Sequence, residues 1–143
     1  QNIVWFDGAF YGTTSYNGPF DGGTLFKLEY PSDVFSVVAN FMEANQPRSL
    51  SLHSNGNFYG MCARPNGDPA GGIFEFALDE EEPTVIHTFQ NKNNGFNPFG
   101  SMLQSTDGSI YGLSSGGKFG EGTLFRFDPV SFLFEKKIKS LLL

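Results

Sequence analysis

One short block of sequence occurs three times in this chain, and this repetition constrains the fold more than any other feature. The copies are Asp7-Gly8-Ala9-Phe10-Tyr11-Gly12, Asn55-Gly56-Asn57-Phe58-Tyr59-Gly60 and Asp107-Gly108-Ser109-Ile110-Tyr111-Gly112. The tyrosines of successive copies are 48 and 52 residues apart. A period of about 50 residues built from short strand-like runs is typical of a β-propeller or a related β-repeat array. Because one repeat cannot bury its own apolar face, neighbouring repeats must stack.

A second block follows each copy of the first and ends in a phenylalanine. Its copies are Gly23-Thr24-Leu25-Phe26, Gly71-Gly72-Ile73-Phe74 and Gly122-Thr123-Leu124-Phe125. We predict that Phe26, Phe74 and Phe125 are equivalent and that all three are buried between adjacent blades. The tyrosine of the first block also recurs in every copy, so a role in blade packing is predicted for Tyr11, Tyr59 and Tyr111.

Each repeat is predicted to form four short strands. An Asp-Gly or Asn-Gly pair, a strong tight-turn signal, precedes the first strand, and the second block is the second strand. Third strands are predicted at 34–41, 83–89 and 132–141, and fourth strands at 49–54 and 100–105, each after a loop containing Pro47 or Pro98. The 17 Phe and 18 Gly residues favour strands and turns. We therefore predict an all-β fold with essentially no helix, as a single repeat domain over 1–143 with repeats at about 7–54, 55–106 and 107–143 and an N-terminal strand at 2–6.

The two ends of the chain are out of phase with the repeats. The third repeat stops after its third predicted strand, whereas the strand-like run at 2–6 precedes the first turn. We predict three four-stranded propeller-type blades permuted by one strand, an arrangement that removes two unpaired edges. Three blades are too few for a ring, since propellers have typically four to eight. Either two copies form a six-bladed ring, in which 3–6 of one copy pairs with 132–141 of the other, or the chain is a segment of a longer array. The ring fits these ends better.

Charge and hydropathy narrow the range of partners. The formal net charge is −6 and the sequence pI is about 4.7. The nine basic residues are mostly scattered, whereas a nucleic-acid-binding surface needs a basic face. No apolar stretch approaches the ~20 residues of a membrane span. We predict no nucleic-acid partner and no membrane span.

No motif in the sequence predicts catalysis. The acidic run at 79–82 is predicted to be a solvated turn, with a cation site as the alternative. Cys62, the only cysteine, is predicted to be a small buried hydrophobic residue. A nucleophilic role would need a nearby histidine, and the sequence places neither His53 nor His87 beside it. Because the two histidines and the cysteine are far apart in sequence, we predict no catalytic residue, no metal and no cofactor.

The order of the blocks resembles a known family. It looks like the Gloeobacter/Verrucomicrobium-type tandem repeat of the choice-of-anchor GloVer repeat proteins. The shared order is Asp-Gly-x-x-Tyr-Gly, a glycine-rich loop, Gly-Thr-Leu-Phe and an apolar strand ending in Phe. Residues 105–125 are the closest copy and 11–26 are nearly as close, whereas the middle copy departs at 61–63 and at Gly72. The resemblance covers nearly the whole chain and implies an exported bacterial surface or extracellular protein with a propeller-like fold. It brings no established activity and therefore no catalytic residues.

Loops with amide and aromatic side chains accommodate binding more easily than catalysis. The longest such loop and the only tryptophan supply the candidate ligand-binding residues, which are Trp5, Asn91, Asn93, Asn94, Phe96 and Asn97. The alternatives are a solvated loop for 91–97 and a core strand position for Trp5. We predict a non-catalytic structural or interaction module of an extracellular or surface-anchored bacterial repeat protein, which self-associates as a dimer ring or a head-to-tail array. The second hypothesis is a lectin-like propeller that binds polysaccharide, and the third is an enzyme that uses the propeller channel.

Overall fold

The computed structural model describes residues 2–42, 44–90, 95–117 and 122–137, which form three antiparallel sheets and no helix. The first blade consists of β1 (Val4–Phe6), β2 (Ala9–Thr14), β3 (Thr24–Glu29) and β4 (Phe35–Asn40). The middle blade consists of β5 (Ala44–Pro47), β6 (Ser51–Leu52), β7 (Phe58–Pro65), β8 (Gly72–Phe76) and β9 (Thr84–Thr88). The third blade consists of β10 (Phe96–Gln104), β11 (Ile110–Ser115), β12 (Thr123–Asp128) and β13 (Leu133–Lys136). The predicted all-β fold is confirmed.

The strand order in each blade follows the chain. The first and third blades have the orders β1-β2-β3-β4 and β10-β11-β12-β13. In the middle blade β5 and β6 both pair with β7, so two short segments share one strand position beside β8 and β9. Each blade is therefore a four-stranded antiparallel sheet made of contiguous residues, as expected for propeller-type blades.

The phase of the repeat differs from the prediction. Val4–Phe6 pairs with β2 of its own blade. The reason is a two-residue turn: Phe6 pairs with Ala9, and the intervening Asp7 and Gly8 have φ angles of 45° and 78°, the positive values that a type I′ hairpin turn requires. The strands β6 and β10 likewise pair forward, with β7 and β11. Every blade already has its own first strand, so the predicted permutation by one strand is wrong and the exchange of 3–6 between copies loses its basis.

The prolines predicted to lie in loops are inside edge strands. Pro47 ends β5 and Pro98 lies in β10, positions at a sheet edge where a missing N–H breaks no ladder. Register shifts interrupt the pairing of β10 near Asn97 and Gly100, both of which have positive φ. At the other end of the third blade, β13 covers only the first part of the predicted strand at 132–141, and residues 138–143 lie outside the described residues.

Each blade has two faces, because side chains alternate along a strand. The leading face carries the glycine of the Tyr-Gly pair and the phenylalanine of the second block, and the trailing face carries the tyrosine. The trailing face of one blade packs on the leading face of the next. The first junction places Ala9, Tyr11 and Leu25 against Phe58, Phe74 and Phe76, and the second places Tyr59, Met61 and Ile73 against Ile110, Phe125 and Phe127. The apolar core is thus two copies of one interface.

The glycine of each Tyr-Gly pair is needed because a phenyl ring covers it. Gly60 pairs with Phe74 across β7 and β8, and a Cβ added to Gly60 would lie 2.1 Å from Phe74 Cζ. In the first blade, a Cβ on Gly12 would lie 2.5 Å from Phe26 Cζ. The glycine and the phenylalanine on the neighbouring strand therefore form one packing unit on the leading face.

The three equivalent phenylalanines are not equally buried. Phe74 and Phe125 have no exposed surface and lie in the two junctions. Phe26 is only partly buried, and its ring lies 5.6 Å from that of Phe35 on the leading face of the first blade. No described blade covers that face. The prediction that all three are buried between blades is therefore wrong for Phe26.

Candidate functional site: an open aromatic face

The leading face of the first blade, called the open face below, presents apolar side chains across all four strands. Trp5 pairs with Phe10, Phe10 with Leu28, and Leu28 with Phe35, so these four residues form one row. Trp5 is 52% exposed and Phe35 is 61% exposed. Val37 on the same face is also exposed. A contiguous exposed apolar patch of this kind is a candidate interaction site.

Three exposed rings cluster at one end of this row. The Trp5 ring meets the Phe10 ring edge-on, with centroids 4.7 Å apart, and the Tyr30 ring at 6.3 Å. The backbone N–H of Tyr30 donates to the Gly8 carbonyl at 3.0 Å, which holds Tyr30 beside the first turn. The cluster offers a broad apolar surface with the polar groups of tyrosine and tryptophan available at its edges.

The strand that carries Trp5 is fixed by the neighbouring blade. The Asn2 side-chain amide donates to the Leu50 carbonyl at 2.5 Å, and its oxygen accepts from the Leu50 N–H at 2.9 Å. Val4 and Phe6 pack into the first junction. Because side chains alternate along β1, Trp5 points outward. The alternative interpretation of Trp5 as a core strand residue is therefore wrong.

The other candidate ligand residues are not gathered with Trp5. Asn91, Asn93 and Asn94 lie outside the described residues. Phe96 and Asn97 belong to β10 in the third blade. The Asn97 side-chain oxygen accepts a hydrogen bond from the Arg48 guanidinium, and the Asn97 N–H donates to the Ala70 carbonyl at 2.6 Å. Asn97 therefore links the third blade to the middle one.

Phe10, Tyr30 and Phe35 belong to the open face, but the sequence did not identify them as candidates. Phe10 stands at the repeat position of Phe58 and Ile110, both of which are buried. The sequence repeat therefore predicts a buried packing role for Phe10. The signal in the sequence is the order of the copies, because the two leading faces that are covered belong to copies that follow another described blade.

The two matching junctions are the structural counterpart of a tandem sequence repeat, and the family comparison agrees. A family model described as the Gloeobacter/Verrucomicrobia repeat matches residues 1–140.

The chain belongs to the Gloeobacter/Verrucomicrobia repeat family.

The match extends over all three blades and confirms the resemblance found in the sequence. A search of curated proteins gave no match for this Gloeobacter/Verrucomicrobia repeat chain. Within the described ranges, no helix is long and apolar enough to cross a membrane.

The single cysteine of this Gloeobacter/Verrucomicrobia repeat protein is a packing residue. Cys62 is fully buried in the first junction. Burial raises the pKa of its thiol to about 12. The thiol is therefore protonated at neutral pH, whereas the thiolate is the nucleophilic form.

A polar network borders the second junction. The Tyr59 hydroxyl donates to the Glu75 carboxylate, which also accepts from the Asn57 amide at 2.8 Å, and the Asn55 amide donates to the Tyr59 oxygen at 3.0 Å. Burial, reinforced by the hydrogen bond to Glu75, raises the pKa of Tyr59 to about 12. The network provides hydrogen-bond partners for the Tyr59 hydroxyl beside the packed rings.

The acidic run at 79–82 is an exposed turn. The Glu80 N–H donates to the Ala77 carbonyl at 3.0 Å, and the Glu80 carboxylate accepts from the Ala77 N–H at 3.1 Å. The turn borders a cavity of about 300 Å³ that Phe20 and Met42 also line. Among the residues that the structure describes, no group of three or more His, Cys, Asp or Glu side chains is placed to hold a metal ion.

His87 lies in the second junction and packs as an aromatic ring. Its imidazole stacks on Phe134 of the third blade, with centroids 4.0 Å apart and planes 9° from parallel, and meets Phe89 edge-on at 5.2 Å. Burial lowers the pKa of His87 from 6.5 to about 4. The ring is therefore neutral over the range in which an exposed histidine becomes charged.

We expect the fold to lose stability as the pH falls from about 6.5 towards 4. In that interval the unfolded chain protonates His87 while the folded chain does not, so protonation favours unfolding. The loss attributable to this residue should be about 1–3 kcal/mol. Urea unfolding at several pH values should show it as a difference between the wild type and His87→Phe, which keeps the stacked ring. The same pH dependence in both proteins would contradict this assignment.

Proposed function

We propose that this chain is a non-catalytic structural and interaction module of an extracellular or surface-anchored bacterial repeat protein. The observation that carries the proposal is the open face. The leading face is covered in the middle and third blades, and its equivalent in the first blade exposes Trp5, Phe10 and Phe35. A partner that covers these side chains gains the free energy of removing their apolar surface from water.

The chemistry of the described residues also favours binding over catalysis. The three groups with the largest pKa shifts are Cys62, Tyr59 and His87, and each is packed in or beside a junction. Their shifts follow mainly from burial. The open face instead offers aromatic rings and aliphatic side chains, which bind through apolar contact.

Labelling of intact cells with a membrane-impermeant maleimide tests both the location and the interaction. Because Cys62 is buried, the unmodified protein is the unreactive control. Val130→Cys adds a thiol in the exposed β12–β13 turn, and Val37→Cys adds one on the open face. We expect Val130→Cys to react on intact cells and Val37→Cys to be protected there, although both react in the dilute purified protein. Reaction of Val130→Cys only after lysis would overturn the surface location, and equal reaction of both on intact cells would overturn the interaction role.

Carbohydrate binding is the second candidate function, and the exposed ring cluster favours it. Trp5, Phe10 and Tyr30 form an exposed aromatic surface with polar groups at its edge. The apolar face of a sugar ring packs on such a surface while its hydroxyls remain hydrogen-bonded. The ligand would be a neutral polysaccharide.

We expect neutral oligosaccharides to change the fluorescence of Trp5, the only tryptophan in the chain, if this second function holds. Calorimetric titration should show heat for the wild type and none for Trp5→Ala. Tyr16→Ala is the matched control, since Tyr16 is an exposed aromatic residue in a loop outside the cluster. The absence of heat and of a fluorescence change across a broad oligosaccharide panel would rule the lectin-like function out.

A further inference from the structure

We propose that the open face of the first blade binds the trailing face of the third blade of a second copy of this chain, head to tail. This inference rests on the proposed interaction role and names the partner. It differs from the strand exchange expected from the sequence, because the contact is between faces of complete sheets.

The leading face of the first blade repeats the composition of the two leading faces that are covered. Phe10 corresponds to Phe58 and Ile110, Phe26 to Phe74 and Phe125, and Leu28 to Phe76 and Phe127. These six counterparts are at most 2% exposed, and all are covered by the trailing face of the preceding blade. The structure thus shows twice what this arrangement of side chains binds.

The trailing face of the third blade is the matching surface. Tyr11 and Tyr59 are buried in the junctions, whereas their counterpart Tyr111 is not. Around Tyr111 the same face exposes leucines and a phenylalanine. These residues are Phe99, Leu103, Leu113 and Leu133, and Leu103 is 72% exposed. Among the described residues the face is therefore apolar and exposed, like the one it would meet.

Charges on the trailing faces do not oppose this contact. Lys27, Glu75 and Arg126 occupy the same position in the three blades, each opposite the tyrosine of its blade. Arg126 lies 3.4 Å from Asp107 and 3.5 Å from Glu135 of its own blade. Within the part of the chain that the structure describes, Arg126 and Glu135 would stay paired with each other when this face is covered. Burial of an unpaired charge is the cost that usually prevents such docking.

The two faces lie on different blades, so the contact is heterologous. Repeated head-to-tail contacts close into a ring or continue as a filament, depending on the rotation between copies. The open face and the trailing face of the third blade would then both be covered in each copy, as both faces of the middle blade already are.

Light scattering of the purified chain at rising concentration tests the proposal. We expect the molar mass to exceed that of one chain at protein concentrations well below about 1 mM. The fluorescence emission of Trp5 should shift to shorter wavelength as copies associate. Phe35→Glu on the open face and Leu103→Glu on the trailing face should each weaken association about a hundredfold or more, because each buries a carboxylate in an apolar contact. Val130→Glu, in an exposed turn outside both faces, should leave the mass unchanged.

Mixing the two face variants gives the decisive result. Phe35→Glu keeps a competent trailing face and Leu103→Glu keeps a competent open face, so an equal mixture should form one-to-one complexes although neither associates alone. Circular dichroism checks that each variant is folded, and Val37→Glu replaces Phe35→Glu if the latter unfolds. A wild type that remains a monomer at every concentration would overturn the proposal. So would a result in which Phe35→Glu loses association while Leu103→Glu keeps it. Neither result depends on where the protein resides, which the maleimide experiment reports separately.

Discussion

Replacement of Phe125 by alanine should lower the free energy of unfolding by about 3–5 kcal/mol, the range for a fully buried phenylalanine. Phe125 has no exposed surface, and its ring packs on Phe89 and Phe134 with centroids 5.4 Å away in each case. The truncation leaves a cavity in the second junction that the surrounding rings cannot fill. Denaturant unfolding at a concentration that keeps the chain monomeric measures the change.

Phe26→Ala is the matched control for this substitution. Phe26 occupies the same repeat position, but on the open face, where its side chain is only partly buried. Its truncation should cost less than about 2 kcal/mol, because less apolar surface returns to water. Equal losses at the two positions would mean that both rings are equally covered in the monomer, contrary to the structure.

Gly60→Ala should destabilise the chain by about 3 kcal/mol or more, at the upper end of the range for overpacking. The added methyl would lie 2.1 Å from Phe74 Cζ and 2.3 Å from the Ser49 carbonyl oxygen. The ring is confined in the first junction and the carbonyl belongs to the backbone, so neither can move without disturbing the sheet. The midpoint of thermal unfolding and the fraction of soluble protein would both fall.

The corresponding substitution in the first blade tests whether confinement is the cause. In Gly12→Ala the three atoms nearest to the methyl all belong to the Phe26 ring, and the closest, Cζ, is 2.5 Å away. That ring borders the open face and can move outward, so the expected cost is below about 1 kcal/mol. A larger loss for Gly12→Ala than for Gly60→Ala would contradict the packing described for the leading faces.

The sequence predicted the fold class because local signals recur in every repeat. The Asp-Gly and Asn-Gly turns, the alternation in the second block and the paired glycine and phenylalanine agree in all three copies, and agreement between levels is what specifies a structure. The prediction of which strands share a sheet was wrong, because the same turn signal can lie inside a sheet as well as between two sheets. The Asp7-Gly8 turn marks where the repeat begins in the sequence, but its φ angles close a hairpin between β1 and β2.

The candidate site was harder to predict, because exposure in a repeat protein depends on position in the stack. Phe10 and Phe58 have nearly identical neighbours in the sequence, yet one is exposed and the other has no exposed surface. Local sequence contains no information about whether another blade is present. Trp5 is a candidate because it is the single tryptophan, and its outward direction follows from the alternation of side chains along β1.

Because junctions join only adjacent blades, the middle blade contributes to two of them and each outer blade to one. Stability in such a stack is approximately a sum over blades and nearest-neighbour interfaces. Backbone amides of β7 and β8 should therefore exchange with solvent through opening of the whole stack, whereas those of β3 and β12 can exchange when one outer blade detaches. A partner bound at the open face would slow exchange in the first blade before it affected the middle one.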